Sequence, residues 1–212
     1  MTNENASKIA GLVDALYAFR DNYTINFGIE KVSEKDEAVK NEMEKVIEEL
    51  KNWEPLCHKT AYLLQLGKVY NVMPEYNEKC EEYLSKVVKR DPTLIDAWNN
   101  LGETFWKKRD FLSAKDCFIG SLKQDRNKVA LRSLSIVMRQ IPCKTEDANK
   151  NTVSCVTYAK EAVEMDVNDG TSWYILGNSY MYLFFKTEQS PKVSIHFIGE
   201  GRHSVAMHIL DE

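Results

Sequence analysis

Apolar residues recur three and four positions apart along most of the chain, the period of a helix that buries one face. Ile9, Leu12, Val13, Leu16 and Phe19 or Tyr23 form one such stripe in IAGLVDALYAFRDNY, and Val39, Met43, Val46, Ile47 and Leu50 form a second within residues 34–51. Further downstream the stripes come in pairs, and the pairs resemble one another. DAWNNLGETFW at residues 96–106 returns as TSWYILGNSYM at residues 171–181, with Trp, Leu-Gly and an aromatic at the same spacing.

Counting a 34-residue unit from Ile95 puts Trp98 at position 4, Leu101 at 7, Gly102 at 8, Phe105 at 11, Ala114 at 20, Phe118 at 24 and Ser121 at 27. This is the tetratricopeptide pattern, two antiparallel helices per unit. Trp98, Leu101 and Phe105 share a helix face, while Gly102 offers no side chain where the second helix crosses at Ala114. Such a hairpin leaves an apolar flank that a neighbouring hairpin must cover, so one repeat predicts others.

Three more units follow that pattern less closely. Leu66, Gly67 and Tyr70 lie thirty-five residues before Leu101, Gly102 and Phe105, with Cys80, Leu84 and Val87 on the second helix and Pro92 at the unit's end. Leu131, Leu134, Ser135 and Met138 occupy positions 4, 7, 8 and 11 of the next unit. Its second helix, CVTYAKEAVEMD, comes about eight residues late, and PCKTEDANKN at residues 142–151 reads as a polar inserted loop. The last unit opens with Trp173, Leu176, Gly177 and Tyr180, but VSIHFIGEGRHSVAMHILDE lacks the small residues of a second helix, so this repeat reads as incomplete.

The predicted fold is therefore all-α: a superhelical tetratricopeptide-repeat solenoid of antiparallel helix pairs behind an N-terminal helical cap. Residues 1–54 are the cap, 55–192 hold about three full repeats and an incomplete fourth, and 193–212 form a divergent, poorly ordered tail. Residues 30–49 of the cap carry eight acids against four lysines, which reads as a solvated helix face.

Composition narrows the chemistry. A net charge of −4 argues against a generally basic surface for duplex nucleic acid and leaves protein as the expected partner. The N-terminus has no apolar signal segment, and no window is long and apolar enough for a membrane helix, so a cytoplasmic or nuclear setting without membrane is expected. Five cysteines without a C-x-x-C pair fit reduced thiols rather than a disulfide framework or a zinc site. No phosphate loop, dinucleotide fingerprint or nucleophile–histidine spacing occurs, so neither an enzyme nor a cofactor is expected.

In repeats of this kind first helices line a concave groove, and positions 2, 5, 9, 12 and 13 face it. The second unit supplies Asp96, Asn99, Glu103, Trp106 and Lys107; the third supplies Val129, Arg132, Ile136, Arg139 and Gln140; the fourth supplies Thr171, Tyr174, Asn178, Met181 and Tyr182. Asn99 and Asn178 could bond a peptide backbone or simply be solvated, and Trp106 either faces the groove or lies beneath the next hairpin. Arg139 stands on an otherwise apolar helix end and could pair an acidic side chain of a peptide. The two-lysine clamp of chaperone-tail-binding repeats is not found, since position 5 is Leu64, Asn99, Arg132 and Tyr174 in successive units.

LYAFRDNY, YLSKVVKRDP, DAWNNLGETFWKK, RNKVALRSLSIVMRQ and AKEAVEMDVNDGTSWYILGNSY together resemble the Strap-type tetratricopeptide repeat proteins from about residue 12 to residue 192. The resemblance implies two roles. One is recognition of the N-terminus of nascent tubulin at the ribosome, leading to tubulin mRNA decay. The other is a nuclear cofactor role joining a histone acetyltransferase to p53-type stress-responsive transcription factors. It further implies that Arg139 meets the nascent chain and that Lys86 and Lys89 face the ribosome. Strap-type proteins carry further repeats and an OB-like C-terminal domain, so the resemblance also implies a truncated form that binds weakly or folds poorly.

Overall fold

The computed structural model describes residues 3–142 and 145–186. Among them are nine α-helices, two 3-10 turns and no strand. The chain divides into two compact units, Met1–Cys117 and Phe118–Glu212.

The first unit begins with α1 (Asn3–Phe27), a 3-10 turn (Ile29–Glu34), α2 (Lys35–Lys51) and a second short turn (Glu54–Leu56). Gly28 joins α1 to its turn with φ of 90°, a conformation only glycine adopts cheaply. α3 (Lys59–Tyr70), α4 (Glu78–Arg90) and α5 (Ile95–Lys107) follow, and α6 (Phe111–Gln124) runs across the boundary. Ile9, Val13 and Leu16 of α1 and Val39, Met43, Val46 and Leu50 of α2 share one buried core with Tyr62, Leu66 and Val69 of α3. The two N-terminal helices thus close the apolar flank of the first repeat, as capping elements do.

A second core joins α3 to α4 and α5 through Leu63, Leu64, Cys80, Leu84, Val87, Ala97 and Leu101. A Cβ at Gly67 would lie 2.6 Å from Leu84 Cδ2. Glycine at position 8 is therefore demanded by the crossing helix. The Asn77 side chain caps α4 by accepting from the Lys79 amide at 3.0 Å, and α4 stops at Arg90, before Pro92.

In the second unit α7 (Lys128–Met138), α8 (Thr145–Met165) and α9 (Gly170–Lys186) pack on one another. Leu131, Leu134, Ser135 and Met138 of α7 are all buried, as the repeat count requires. One expectation is corrected. The segment 142–151 is not simply a polar loop, because α8 already begins at Thr145 and runs for 21 residues. The extra residues lengthen the second helix by about two turns. Glu146 and Asp147 suit a helix N-terminus, and no Gly or Pro interrupts the chain between Pro142 and Gly170.

The position-4 tryptophans do more than pack. Trp98 Nε1 donates to the Pro92 carbonyl and Trp173 Nε1 to the Val167 carbonyl, both at 2.8 Å and both six residues back. Each ring thereby fastens the turn that precedes its own helix. The expected second helix of the last repeat and the tail from residue 193 lie outside the described residues.

Candidate peptide-binding site

Arg139 is placed by α7. It is the C-terminal cap residue of that helix, and its Nε donates to the Ser135 carbonyl at 3.2 Å. A cation is favoured there, where the last carbonyls concentrate negative potential. α7 is in turn fastened to α9 by the buried Ser135 and Ser179 hydroxyls, 2.7 Å apart. Arg139 therefore projects from a fixed helix end beside the second half of α9.

There it lines a cleft of about 240 Å³ with Gln140, Pro142, Asn151, Tyr182 and Lys186. Burial pulls the guanidinium below its usual value, while Cys155, Tyr182 and Tyr174 act in the opposite direction. An arginine side chain remains charged under all such shifts. Among the described residues, the lining of this cleft contains two cations, Arg139 and Lys186, and no carboxylate. The Lys186 ammonium lies 5.6 Å over the Tyr182 ring, so an aromatic face is presented beside both positive charges.

Lys186 was missed by counting groove positions. It lies beyond position 13 of its repeat and reaches the cleft because α9 spans 17 residues where α5 spans 13. The hydrophobic run MYLFF before it was the available signal that this helix continues.

The other predicted residues are distributed as follows. Tyr174 is 71% exposed, and Asn178, one turn on, is half-buried on the same face of α9. Arg132 is bound to Asp169 at 2.6 Å, with both side chains mostly buried, so its charge is engaged at the α8–α9 connection. Asn99, Glu103 and Trp106 belong to the first unit. Asn99 is half-buried on α5, whereas Trp106 is exposed and lines a cavity together with Glu103 and Lys107. Lys86 and Lys89 are both exposed on α4; Lys86 pairs with Glu82 at 2.5 Å and lies 6.0 Å over the Tyr83 ring.

Among the described residues there is no group of three or more His, Cys, Asp or Glu side chains that could hold a metal ion. Cys57, Cys80, Cys117 and Cys155 are free thiols. Burial pushes Cys80 to about 11 and Cys117 to about 12, so neither is a reactive thiolate near neutral pH. No helix among the described residues is long and apolar enough to cross a membrane.

The helix pairs and the Gly67 crossing fit the repeat pattern read from the sequence, and three curated relatives carry the tetratricopeptide name. The chain is similar to tetratricopeptide repeat protein 5. It is 48% identical over 189 residues to the protein of that name from Homo sapiens, covering 88% of this chain and 43% of the relative. Tetratricopeptide repeat protein 5 from Mus musculus is 46% identical over 189 residues, and that from Bos taurus 44% identical over 193. This chain spans less than half the length of these tetratricopeptide repeat protein 5 relatives. No family model matches it.

Proposed function

We propose that the chain is a protein-binding adaptor that recognises the N-terminus of nascent tubulin at the ribosome. The observation that carries this reading is the Arg139 cleft: two cations and the Tyr182 ring around about 240 Å³, with no acid among the described lining residues. That is a complement for one acidic side chain of an extended peptide whose apolar neighbours lie against an aromatic surface. The resemblance of the chain to Strap-type proteins supports that choice of peptide and Arg139 as a residue that meets it.

The same reading gives Lys86 and Lys89 the ribosome. They extend from one end of α4 into solvent, and Glu82 neutralises Lys86 only through an exposed pair of the kind that contributes about 0–1 kcal/mol. A phosphate would compete with that glutamate on favourable terms at low salt.

Co-sedimentation with ribosomes stalled while exposing a tubulin N-terminus tests the reading. The chain is expected to pellet with them and not with ribosomes displaying an unrelated N-terminus, and Arg139→Ala should abolish the difference. Nuclear accumulation, with acetyltransferase association and no ribosome binding, would instead support the second role implied by the resemblance.

A further inference from the structure

The first unit has a cavity of its own. It is of about 310 Å³, bounded by α1, α2, α5 and the chain that follows α3. That size is at the lower end for ligand pockets, which span roughly 300–1,000 Å³. Val39, Val72, Met73 and Pro74 supply apolar lining, and Trp106, 42% exposed, adds a large aromatic surface.

Five charged residues also line it, but they are not equivalent. Glu103 and Lys107 neutralise each other at 3.0 Å. The Lys107 ammonium has two more acceptors in the Asn71 carbonyl at 2.6 Å and the Asn71 side-chain oxygen at 2.8 Å, and its side chain is 5% exposed. The second Glu103 oxygen accepts from Asn71 Nδ2 at 3.0 Å. This pair is consumed internally and has little charge left for a ligand.

Arg20 is different. Its guanidinium stacks 4.6 Å from the Tyr17 ring centre, its Nη1 donates to the Val72 carbonyl at 3.3 Å and its Nε to Asp21 at 2.8 Å. These contacts fix the plane of the group and leave its Nη2 to donate. Lys35 and Asp36 add one charge of each sign to the lining. Asp21, the ion-pair partner of Arg20, is 60% exposed, so water screens that pair more than the buried Lys107 contacts. What remains is an apolar cavity beside one oriented guanidinium, a combination suited to an apolar side chain with a carboxylate next to it.

From this juxtaposition we propose that the first unit has a second peptide subsite, in which a bulky aliphatic side chain of a protein partner packs against Trp106 and an adjacent carboxylate pairs with Arg20. The site goes beyond the Arg139 reading and does not depend on it. It also explains an exposed tryptophan at position 12 of a repeat, which packing within the hairpin does not require.

The test uses the 212-residue chain and fluorescein-labelled hexapeptides by fluorescence anisotropy. The probes are Gly-Ser-Leu-Glu-Ser-Gly and its Leu-to-Ala and Glu-to-Lys counterparts. The Leu–Glu peptide is expected to bind best, with about a tenfold loss for either counterpart, equivalent to about 1.4 kcal/mol. Trp106→Ala and Arg20→Gln should each weaken it about tenfold, and Trp106→Phe should retain most binding. Absence of Leu–Glu binding, equal binding of the Leu–Lys peptide, or indifference to Trp106→Ala in a protein of unchanged circular dichroism would overturn the proposal. Loss of binding in Arg139→Ala would also overturn it, by moving the peptide to the other cleft, and would leave the Arg139 reading intact.

Discussion

The ammonium of Lys107 lies 2.6 Å from the main-chain carbonyl oxygen of Asn71 and 2.8 Å from its side-chain oxygen. A residue that repeat counting turns toward the groove is in fact the centre of a buried polar junction between the end of α3 and the end of α5. Asn71 itself is 2% exposed and also donates to Asn100 and Glu103. Replacing Lys107 by Met strands those acceptors, which costs about 1–3 kcal/mol where buried partners lose their bonds. Urea denaturation should show that loss for Lys107→Met and no more than about 1 kcal/mol for Lys86→Met, whose ion pair is exposed.

Two of the position-8 glycines, Gly67 and Gly177, separate close approach from helix propensity. At Gly67 a Cβ would meet Leu84 at 2.6 Å, and Leu84 is fully buried with no room to retreat. At Gly177 a Cβ would meet nothing within 4 Å among the described residues. Gly67→Ala is expected to destabilise by about 1–3 kcal/mol through overpacking. Gly177→Ala should instead stabilise by up to about 1 kcal/mol through helix propensity. Thermal melts of the two variants check the opposite signs.

Acid should unfold the protein through a small set of carboxylates. The Ser172 hydroxyl holds Asp169 below the usual carboxylate range, aided by Arg132 and Lys128 against the cost of burial. Lys128 does the same for Asp166, and Ser113 for Asp110. For Glu81, burial works upward but is outweighed by the hydrogen bonds from Lys108 and Tyr76, both at 2.7 Å. Each folded pKa is depressed, so its stabilisation is present above the unfolded value of about 4 and is lost as pH falls through the folded one. Stability should be level between about pH 5 and 8 and fall below about pH 4. Asp169→Asn should flatten part of that fall in pH-dependent urea titrations.

The ribosome-facing assignment makes a salt prediction. If Lys86 and Lys89 each neutralise a phosphate, Lys86→Glu with Lys89→Glu should weaken ribosome co-sedimentation and lower the slope of log affinity against log salt by about 1.5–2. An unchanged slope would return both lysines to a solvated face.

Much of the fold is legible in the sequence because its signals are local. The stripes Ile9–Val13–Leu16 and Leu131–Leu134–Met138 name buried faces correctly, since periodicity encodes which side of a helix meets a core. The early start of α8 was not legible as such. Polar residues at 142–151 suit both a loop and a helical extension, and the absence of Gly and Pro after Pro142 favours the helix. At the candidate site, counting places Arg139 and Trp106 at cavities but cannot see pairing. Arg132 with Asp169 is separated by 37 residues, and Lys107 with Asn71 by 36. Such partnerships depend on the packing of neighbouring helices, which no single repeat records.

The central claim is that Arg139 is a binding residue rather than a structural one. Its side-chain hydrogen bond on α7 goes to the Ser135 carbonyl, which also lies within the helix ladder, so Arg139→Ala should change stability by less than about 1 kcal/mol. The decisive measurement is the equilibrium affinity of a tubulin N-terminal peptide for the wild-type chain and for Arg139→Ala, by calorimetry. At least about a tenfold loss is expected in a variant of unchanged melting temperature. Equal affinities for the two proteins would contradict it.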